Sequence, residues 1–467
     1  MKKKIFITLG YQNFTDYFIE LIKHLKNNFN ITCLVYGYKN YLKVKENKKL
    51  FHKVYSYEKL VNEFYKKQNN NYYKTLINFE NKYGSLWKSL YSDRQLLDNF
   101  YDVDYGDEKL DYNDLLKFAY QWCNFFEKIF NNKEYKYIIS YSTASFPALL
   151  SIKISGFYGV KYLCFKTLGI PDRFTIIDDI NDELLVPLKN KIDYRWAKNY
   201  LSNLNKNKKP NWILKRKKIS FFRRIYHIIK NILLEKKIFK FIDNNKSAYL
   251  NHTFFKIIKI KLKKIYRKIN FLFTKLKNIN EIKSKYIYFP LHVEPESNLM
   301  VKNIINTDQL HLIENISKLC PIDTKIVIKD HPNQSIRSSY FYSRINKIPN
   351  TLLIDSAISS GKLIKNAEAV ICISGTSILE TILMRKKLLV FGNNIIIKNF
   401  FPELKCNYSN FQKKMKNNAL PSKKKIIKMI AHLKNISVDI NSEILIKKKD
   451  PKKISLMLLS LFKRIDE

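Results

Sequence analysis

Short apolar segments alternate with amphipathic helical segments along this chain of 467 residues. Residues 4–9 (KIFITL) form an apolar run closed by Gly10, residues 15–25 carry apolar side chains at helical spacing, and residues 31–36 (ITCLVY) form a second apolar run. This β-α-β order is typical of a parallel sheet with helices on its faces. The pattern returns as strand, helix and strand at residues 136–141, 144–154 and 161–166.

The same alternation begins again at Lys285. It predicts five strands, at residues 286–291, 325–330, 351–355, 369–373 and 388–392, with helices at 308–318, 359–366 and 378–385. Strands about 20–25 residues apart with intervening helices indicate a second Rossmann-like domain. The chain is therefore expected to be an α/β protein with two Rossmann-like domains.

The two blocks and the segments around them divide the chain into four parts. An N-terminal Rossmann-like domain covers residues 1–205, with an aromatic-rich helical insertion at about 57–131. A basic helical connector follows at 206–280, then a C-terminal Rossmann-like domain at 281–420 and a basic helical tail at 421–467.

The formal net charge is +45, and the basic residues are nearly all Lys, with about a dozen Arg. Heavy use of Lys, Asn, Ile, Tyr and Phe is also what A/T-rich codons produce, so charge alone identifies no partner. Few Arg and no recognisable reader module argue against nucleic acid as a partner.

Residues 206–278 are the exception, with about 23 Lys and Arg against Glu235 and Asp243. Residues 219–242 mix Phe, Ile and Leu with basic residues at helical spacing, as in a basic amphipathic helix. Three interpretations remain open for this connector: helices packed on the body of the protein, docking on an anionic membrane surface, or nucleic-acid binding. Of the two possible binding partners, we expect the connector to bind the anionic inner membrane surface rather than nucleic acid.

Several familiar signatures are absent from the sequence. The six Cys residues include no C-x-x-C pair, and there is no H-E-x-x-H, G-x-G-x-x-G or phosphate-loop motif. The first residues resemble no signal peptide, and no stretch of about 20 uncharged apolar residues occurs. We therefore expect no metal site and no obligatory cofactor, and a cytoplasmic protein.

Ligands of open parallel sheets bind beyond the carboxyl ends of the strands. In the second domain the segment KDHPNQ begins at Lys329 and places His331 and Pro332 directly after a strand. An imidazole at this position can donate a hydrogen bond to a phosphate or act as an acid or base. These three residues are candidates for nucleotide binding, and His331 is also a catalytic candidate.

The segment ISGTSILET (373–381) joins another strand to a helix. Ser374, Gly375, Thr376 and Ser377 form the turn, where free backbone N–H groups, hydroxyls and the positive helix end make an anion site. Ordinary capping of the helix explains the same hydroxyls. Glu380, one helical turn further on, is a candidate for hydrogen bonds with ribose hydroxyls.

The segment FPLHVEPESN (289–298) places three titratable side chains after the first strand of this domain. His292, Glu294 and Glu296 are the candidates, and a carboxylate there can serve as general base or nucleophile. Glu296 is the preferred candidate.

The second domain resembles the capsule polysaccharide biosynthesis proteins, a bacterial family that includes the Kdo transferases of capsule export systems. The resemblance rests on the order and spacing of three segments: YFPLHVEPES, IKDHPNQ and LIKNAEAVICISGTSILETILMRKKLLVFGN. It implies a GT-B-like fold, in which the two domains face each other across a cleft and the C-terminal one holds a nucleotide sugar. The phosphate would contact His331, Pro332, Ser374, Thr376 and Ser377. Kdo-transferring members have Gln and then Asp where His292 and the two glutamates stand here.

The N-terminal half resembles the family more loosely, through Ser92-Asp93-Arg94, Tyr141-Ser142-Thr143 and Pro171-Asp172-Arg173-Phe174. The resemblance implies that the acceptor binds on this side of the cleft. The residues expected there are Gly10, Tyr141, Ser142, Thr143 and Arg173.

The expected function is a metal-independent glycosyltransferase of capsule or other surface polysaccharide synthesis. It would move a sugar from a CMP-, CDP- or UDP-linked donor to a lipid-linked glycan at the inner face of the cell membrane. Three alternatives stay open: a CDP-polyol phosphotransferase of the teichoic-acid type, a non-catalytic assembly partner, and a basic nucleic-acid-binding protein.

Overall fold

The computed structural model of the protein contains two sheets, of eight and five strands. It describes residues 2–10, 12–66, 72–93, 96, 112–141, 143, 145–170, 173–188, 192–205, 254–278, 282, 284–294, 296–332, 334, 336–417, 420–439 and 451–467.

The first sheet is built around five parallel strands. The strands of the N-terminal half are β1 Lys3–Leu9, β2 Phe29–Val35, β3 Lys53–Ser56, β4 Tyr135–Ser140, β5 Lys161–Thr167, β6 Arg173–Asp178 and β7 Glu183–Leu184. Strands β3-β2-β1-β4-β5 are parallel neighbours in that order, and β6 and β7 add antiparallel strands at one edge. The last five residues of the central strand β1 are all buried, because helices cover both faces of such a sheet.

The helices of this half are α1 Gln12–Leu25, α2 Tyr38–Glu46, α3 Tyr57–Lys66, α4 Tyr73–Tyr83, α5 Leu86–Leu90, α6 Tyr112–Phe130, α7 Phe146–Phe157 and α8 Tyr194–Asn205. Helices α3–α6 are the described part of the expected insertion. They enclose an aromatic core around Trp122, whose ring is fully buried and stacks on Tyr57 at 5.4 Å and on Phe126 at 5.4 Å.

The second sheet is entirely parallel. Its strands are β8 Lys285–Pro290, β9 Thr324–Lys329, β10 Thr351–Ile354, β11 Ala369–Cys372 and β12 Leu388–Val390, in the order β10-β9-β8-β11-β12. The helices of this half are α9 Phe254–Leu272, α10 Ser297–Met300, α11 Gln309–Leu319, α12 Ser339–Lys347, α13 Ser360–Asn366, α14 Thr376–Leu383, α15 Ile395–Phe400 and α16 Phe411–Lys416. This strand order repeats that of the first sheet. The expected α/β class and the two Rossmann-like domains are confirmed.

The C-terminal segment returns to the first sheet. It consists of α17 Lys423–Asn435, β13 Val438–Asp439 and α18 Pro451–Asp466. Strand β13 pairs antiparallel with β6, and the Phe462 ring of α18 lies 5.9 Å from Phe29 and 5.2 Å from Tyr137. The segment that the sequence sets apart as a tail is therefore part of the N-terminal body.

The basic connector is described only in its last part, which contains α9. The amphipathic helix expected at 219–242 lies outside the described residues. Across the described part of the chain, no helix combines the length and apolar character needed to cross a membrane.

Candidate active site

Three of the predicted segments meet at one edge of the second sheet. Strands β9, β8 and β11 are neighbours in that order, and their carboxyl ends lead into residues 330–332, 291–296 and 373–377 respectively. Parallel pairing places these three strand ends at the same edge. Residues separated by more than 80 positions in the chain therefore become neighbours there.

The buried side chain of His292 contacts the backbone of the turn at the start of α14. Its imidazole Nε2 lies 3.0 Å from the backbone nitrogen of Ser374 and 2.7 Å from the Ser374 carbonyl oxygen. Burial lowers the pKa of His292 to about 4, so the ring is neutral at pH 7. Its Nδ1 is buried and has no partner among the described residues. The side chain predicted as a catalytic candidate thus contacts the backbone of the turn at Ser374.

The turn itself has the geometry of an anion site. Gly375 has φ +89°, and a Cβ at this position would lie 3.4 Å from Nε2 of His292. Glycine is therefore favoured at this position for two reasons: the backbone is left-handed, and the His292 ring lies close to where a Cβ would be. Thr376 is exposed and Ser377 half-buried at the first turn of α14, where helix N–H groups have no intrahelical acceptor. Ser374 is buried beneath them.

The strand β9 ends in the predicted KDHP segment. Lys329 is buried, and its Nζ donates to the carbonyl oxygen of Ile358 at 3.0 Å. Burial lowers the pKa of Lys329, while the nearby Glu380 and Asp355 oppose that effect. Lys329 and Glu380, on different elements, are therefore electrostatic neighbours. His331 is half-buried and Pro332 exposed in the loop that follows.

Glu294 belongs to a buried ion-pair network that the sequence analysis missed. Its carboxylate pairs with the guanidinium of Arg337, which also lies 3.3 Å from Asp330 through Nε and donates to the His292 carbonyl oxygen at 2.6 Å. The side chain of Gln309 makes hydrogen bonds with both the Glu294 carboxylate and the His292 backbone. Burial raises the pKa of Glu294, and the Arg337 charge opposes the rise. With both carboxylate oxygens bonded, Glu294 holds the loop in shape.

Glu296 is the third candidate of this loop. It is half-buried and stands just before α10, where its carbonyl oxygen accepts hydrogen bonds from the N–H groups of Leu299 and Met300. These bonds fix the backbone at Glu296.

On the N-terminal side, the predicted residues also follow strand ends. Gly10 is exposed at the end of β1, while Tyr141 is half-buried and Thr143 buried after the neighbouring β4. Ser142 lies outside the described residues. A hydrogen bond of 2.5 Å from Thr8 Oγ1 to Ser140 Oγ links the two strands just before these ends.

Arg173 is engaged by the C-terminal segment. Its Nε donates to Ser437 Oγ at 2.8 Å, and Nη2 donates to the carbonyl oxygens of Ser437 at 2.8 Å and Lys434 at 3.1 Å. The guanidinium also lies over the ring of Trp196 at 5.6 Å. These contacts tie β6 to the returning chain, and they occupy the side chain that the resemblance placed on the acceptor side.

The carboxyl edge of the first sheet faces α14. Gly169, just after β5, has φ +77°, and a Cβ there would lie 3.0 Å from Cδ2 of Leu379 on α14. A second interdomain contact is the ion pair of Lys302 and Asp182, with an Nζ–Oδ1 distance of 2.5 Å and side chains 8% and 5% exposed. The two domains are therefore in contact at these two points.

The family comparison covers most of α8, the connector and most of the second domain. Residues 197–396 match the family described as capsule polysaccharide biosynthesis protein. The chain is similar to the capsule polysaccharide biosynthesis proteins. The resemblance inferred from the sequence is confirmed over these residues, which include all the donor-side candidates. No curated protein matches the chain.

Solved structures that are similar to the chain include a KpsC transferase and a UDP-GlcNAc 2-epimerase. The KpsC β-Kdo 2,7-transferase of Thermosulfurimonas dismutans is 12% identical with a TM-score of 0.33, covering 81% of this chain and 97% of that chain. The UDP-GlcNAc 2-epimerase of Methanocaldococcus jannaschii, in complex with UDP-GlcNAc and UDP, is 12% identical with a TM-score of 0.28, covering 98% of this chain and 99% of that chain. At these scores no residue role is transferred from either structure.

Proposed function

We propose that this protein is a metal-independent GT-B-type glycosyltransferase that transfers a sugar from a nucleotide donor to a growing capsule or other surface glycan. The observation that carries the proposal is the structure of the Ser374–Ser377 turn, whose backbone contacts the buried His292 side chain. Family similarity over residues 197–396 supports the same conclusion. The turn supplies N–H groups, hydroxyls and a helix end, which together suit a diphosphate or monophosphate.

In this proposal the donor phosphate binds at the turn and beside His331. When the bond between the anomeric carbon and the phosphate oxygen breaks, its electron pair stays on the phosphate. The helix end and a hydrogen bond from His331 stabilise that charge, with no metal required. Lys329 is buried in the same strand end, and Glu380 on α14 is placed to accept bonds from ribose hydroxyls. The donor is a CMP-, CDP- or UDP-linked sugar.

Glu296 is the proposed catalytic carboxylate. It either takes the proton of the acceptor hydroxyl as that oxygen attacks the anomeric carbon, or attacks that carbon first and forms a glycosyl-enzyme intermediate. His292 and Glu294 act as positioning residues in this scheme, because their side chains are bonded to the turn and to Arg337.

The acceptor is a lipid-linked glycan in this proposal, and it enters from the N-terminal side near Gly10, Tyr141 and Thr143. In support, these residues follow β1 and β4, and the next strand of the sheet, β5, leads to Gly169 beside Leu379 of α14. The protein works in the cytoplasm, held peripherally at the inner membrane surface by the basic segment 206–278.

The test of the donor site is His331→Ala. Loss of a phosphate-stabilising donor is expected to lower turnover by about 10²-fold or more. His311→Ala is the matched control, because His311 is exposed on α11 and should leave turnover unchanged. Sugar transfer at the parent rate by His331→Ala would refute the assignment.

A substrate panel separates this proposal from polyol-phosphate transfer. Thermal shifts with CMP, CDP, UDP and GDP identify the preferred nucleotide, and turnover is then compared for nucleotide sugars, CDP-glycerol and CDP-ribitol. Turnover of a CDP-polyol with no turnover of any nucleotide sugar would replace glycosyl transfer by the polyol-phosphate reaction.

A further inference from the structure

One face of α9 leaves a continuous row of large apolar side chains exposed. They are Leu262, Ile265, Tyr266, Ile269 and Leu272 of α9 and Phe273 directly after it, with exposed fractions of 60%, 53%, 65%, 50%, 81% and 84%. Their spacing places them on one side of the helix, at 3.6 residues per turn. We call these six residues the apolar stripe. Exposed apolar residues that stand singly need no explanation, but a contiguous patch marks an interaction surface.

The opposite face of α9 is attached to the C-terminal domain. Arg267 is buried and its Nη1 donates to the Ile336 carbonyl oxygen at 3.4 Å, and the Phe271 ring lies 5.0 Å from the ring of Tyr342. The hydroxyl of Tyr342 donates to Asp330 at 2.8 Å. The helix is therefore fixed to the same network that holds Glu294 and the His292 backbone, and the apolar stripe lies on its outer side.

The charge around the apolar stripe identifies its occupant. Residues 254–278 contain nine Lys and Arg and no acidic residue. Lys263 and Lys268 are exposed and lie on either flank of the apolar stripe by helical periodicity. Apolar side chains flanked by Lys match a bilayer, where the rings and methyl groups enter the acyl boundary and the ammonium groups meet anionic headgroups. A second copy of this helix would bring like charges together.

We propose that the apolar stripe of α9 docks the protein on an anionic lipid bilayer. The inference deepens the peripheral location given under Proposed function by naming the residues that enter the membrane. It fixes the C-terminal domain to the surface through the side of α9 opposite its contact with Tyr342.

The test uses the full chain and vesicles of phosphatidylcholine alone or with about one third phosphatidylglycerol, without nucleotide. The variant is Leu262→Gln, Ile265→Gln, Ile269→Gln. The matched control removes three exposed apolar side chains from other surfaces: Ile322→Gln, Leu420→Gln and Leu456→Gln. We expect the first variant to bind the anionic vesicles at least about 10-fold more weakly than the parent. The control should stay within about 2-fold of the parent.

A second variant tests the charges. Lys263→Gln with Lys268→Gln is expected to weaken binding to anionic vesicles about 5-fold or more. Lys423→Gln with Lys424→Gln, two exposed lysines on α17, is the control. All of these changes are at exposed positions, so unaltered melting temperatures check that each variant folds.

Three outcomes would overturn the docking proposal. The first is parent-like binding by the apolar-stripe variant, and the second is equal binding of the parent to neutral and anionic vesicles. The third is a parent dimer that the apolar-stripe variant converts to a monomer, which would assign the apolar stripe to self-association. None of these assays uses nucleotide or sugar, so failure of docking is distinguishable from failure of the proposed transferase function.

Discussion

The imidazole Nε2 of His292 lies 3.0 Å from the backbone nitrogen of Ser374, 82 residues further along the chain. This contact joins the loop after β8 to the turn after β11, so one buried side chain supports the backbone of the proposed anion site. Because the ring is neutral and enclosed, protonating it would place an uncompensated charge beneath the turn.

The buried His292 should make stability fall in mild acid. Its pKa is lowered from 6.5 to about 4, so the fold favours the neutral ring. This contribution is complete above pH 6.5 and is lost as the pH falls from 6.5 through 4, by up to about 3 kcal/mol. The free energy of unfolding of the parent should therefore decrease more steeply over that range than that of His292→Gln. Urea unfolding at a series of pH values measures the difference.

The control for this pH dependence is His311→Gln, at an exposed position on α11. Its unfolding curve should run parallel to that of the parent across the pH range. Parallel curves for the parent and His292→Gln would mean that His292 does not titrate in the folded protein as argued.

Arg337 should not be replaceable by Lys. Its planar guanidinium contacts Glu294, Asp330 and the His292 carbonyl oxygen together, whereas one ammonium cannot hold this geometry. We expect Arg337→Lys to lower the free energy of unfolding by about 3 kcal/mol, in the range for a broken buried ion pair. Arg344→Lys, which keeps a surface pair with Glu314, should change stability little. Equal losses in the two variants would show that the buried network adds nothing specific.

Substitutions at Gly169 and Gly159 can be compared to distinguish the effect of backbone strain from that of interdomain contact. Both have φ +77°, but a Cβ at Gly169 would lie 3.0 Å from Leu379, and a Cβ at Gly159 meets nothing within 4 Å. Each Ala substitution should cost about 1 kcal/mol or more for the left-handed backbone. Gly169→Ala should cost more, and it alone should weaken nucleotide binding, because Leu379 belongs to α14. Melting temperatures and nucleotide titrations measure the two effects, and identical behaviour of both variants would contradict the contact.

Much of the fold could be predicted because its central strands are parallel and covered on both faces. Such strands are continuous apolar runs, so β1, β2, β4, β5 and the five strands of the second sheet were recognisable. Strands β3, β6 and β7 were missed. Strand β13 was missed as well. Strand β3 has four residues and β7 and β13 have two each, so their length does not mark them. Strand β6 has six residues, but Arg173, Thr175 and Asp178 interrupt its apolar pattern. The return of the C-terminal segment to β6 depends on pairing across more than 260 residues, which no local pattern records.

The sequence by itself determined where polar groups follow buried strands, and therefore that KDHP, the Ser374–Ser377 turn and the loop with His292, Glu294 and Glu296 share one edge of the second sheet. Only the tertiary structure decided what each side chain does there. His292 and Glu294 are buried against partners up to 82 residues away, so they support the turn and the loop. Arg337 belongs to no recognised sequence motif. Its importance arises because folding brings three acceptors to it: Glu294, Asp330 and the His292 carbonyl oxygen. Burial and partners are properties of the packed chain, which is why residue type and spacing located the candidate site without assigning these roles.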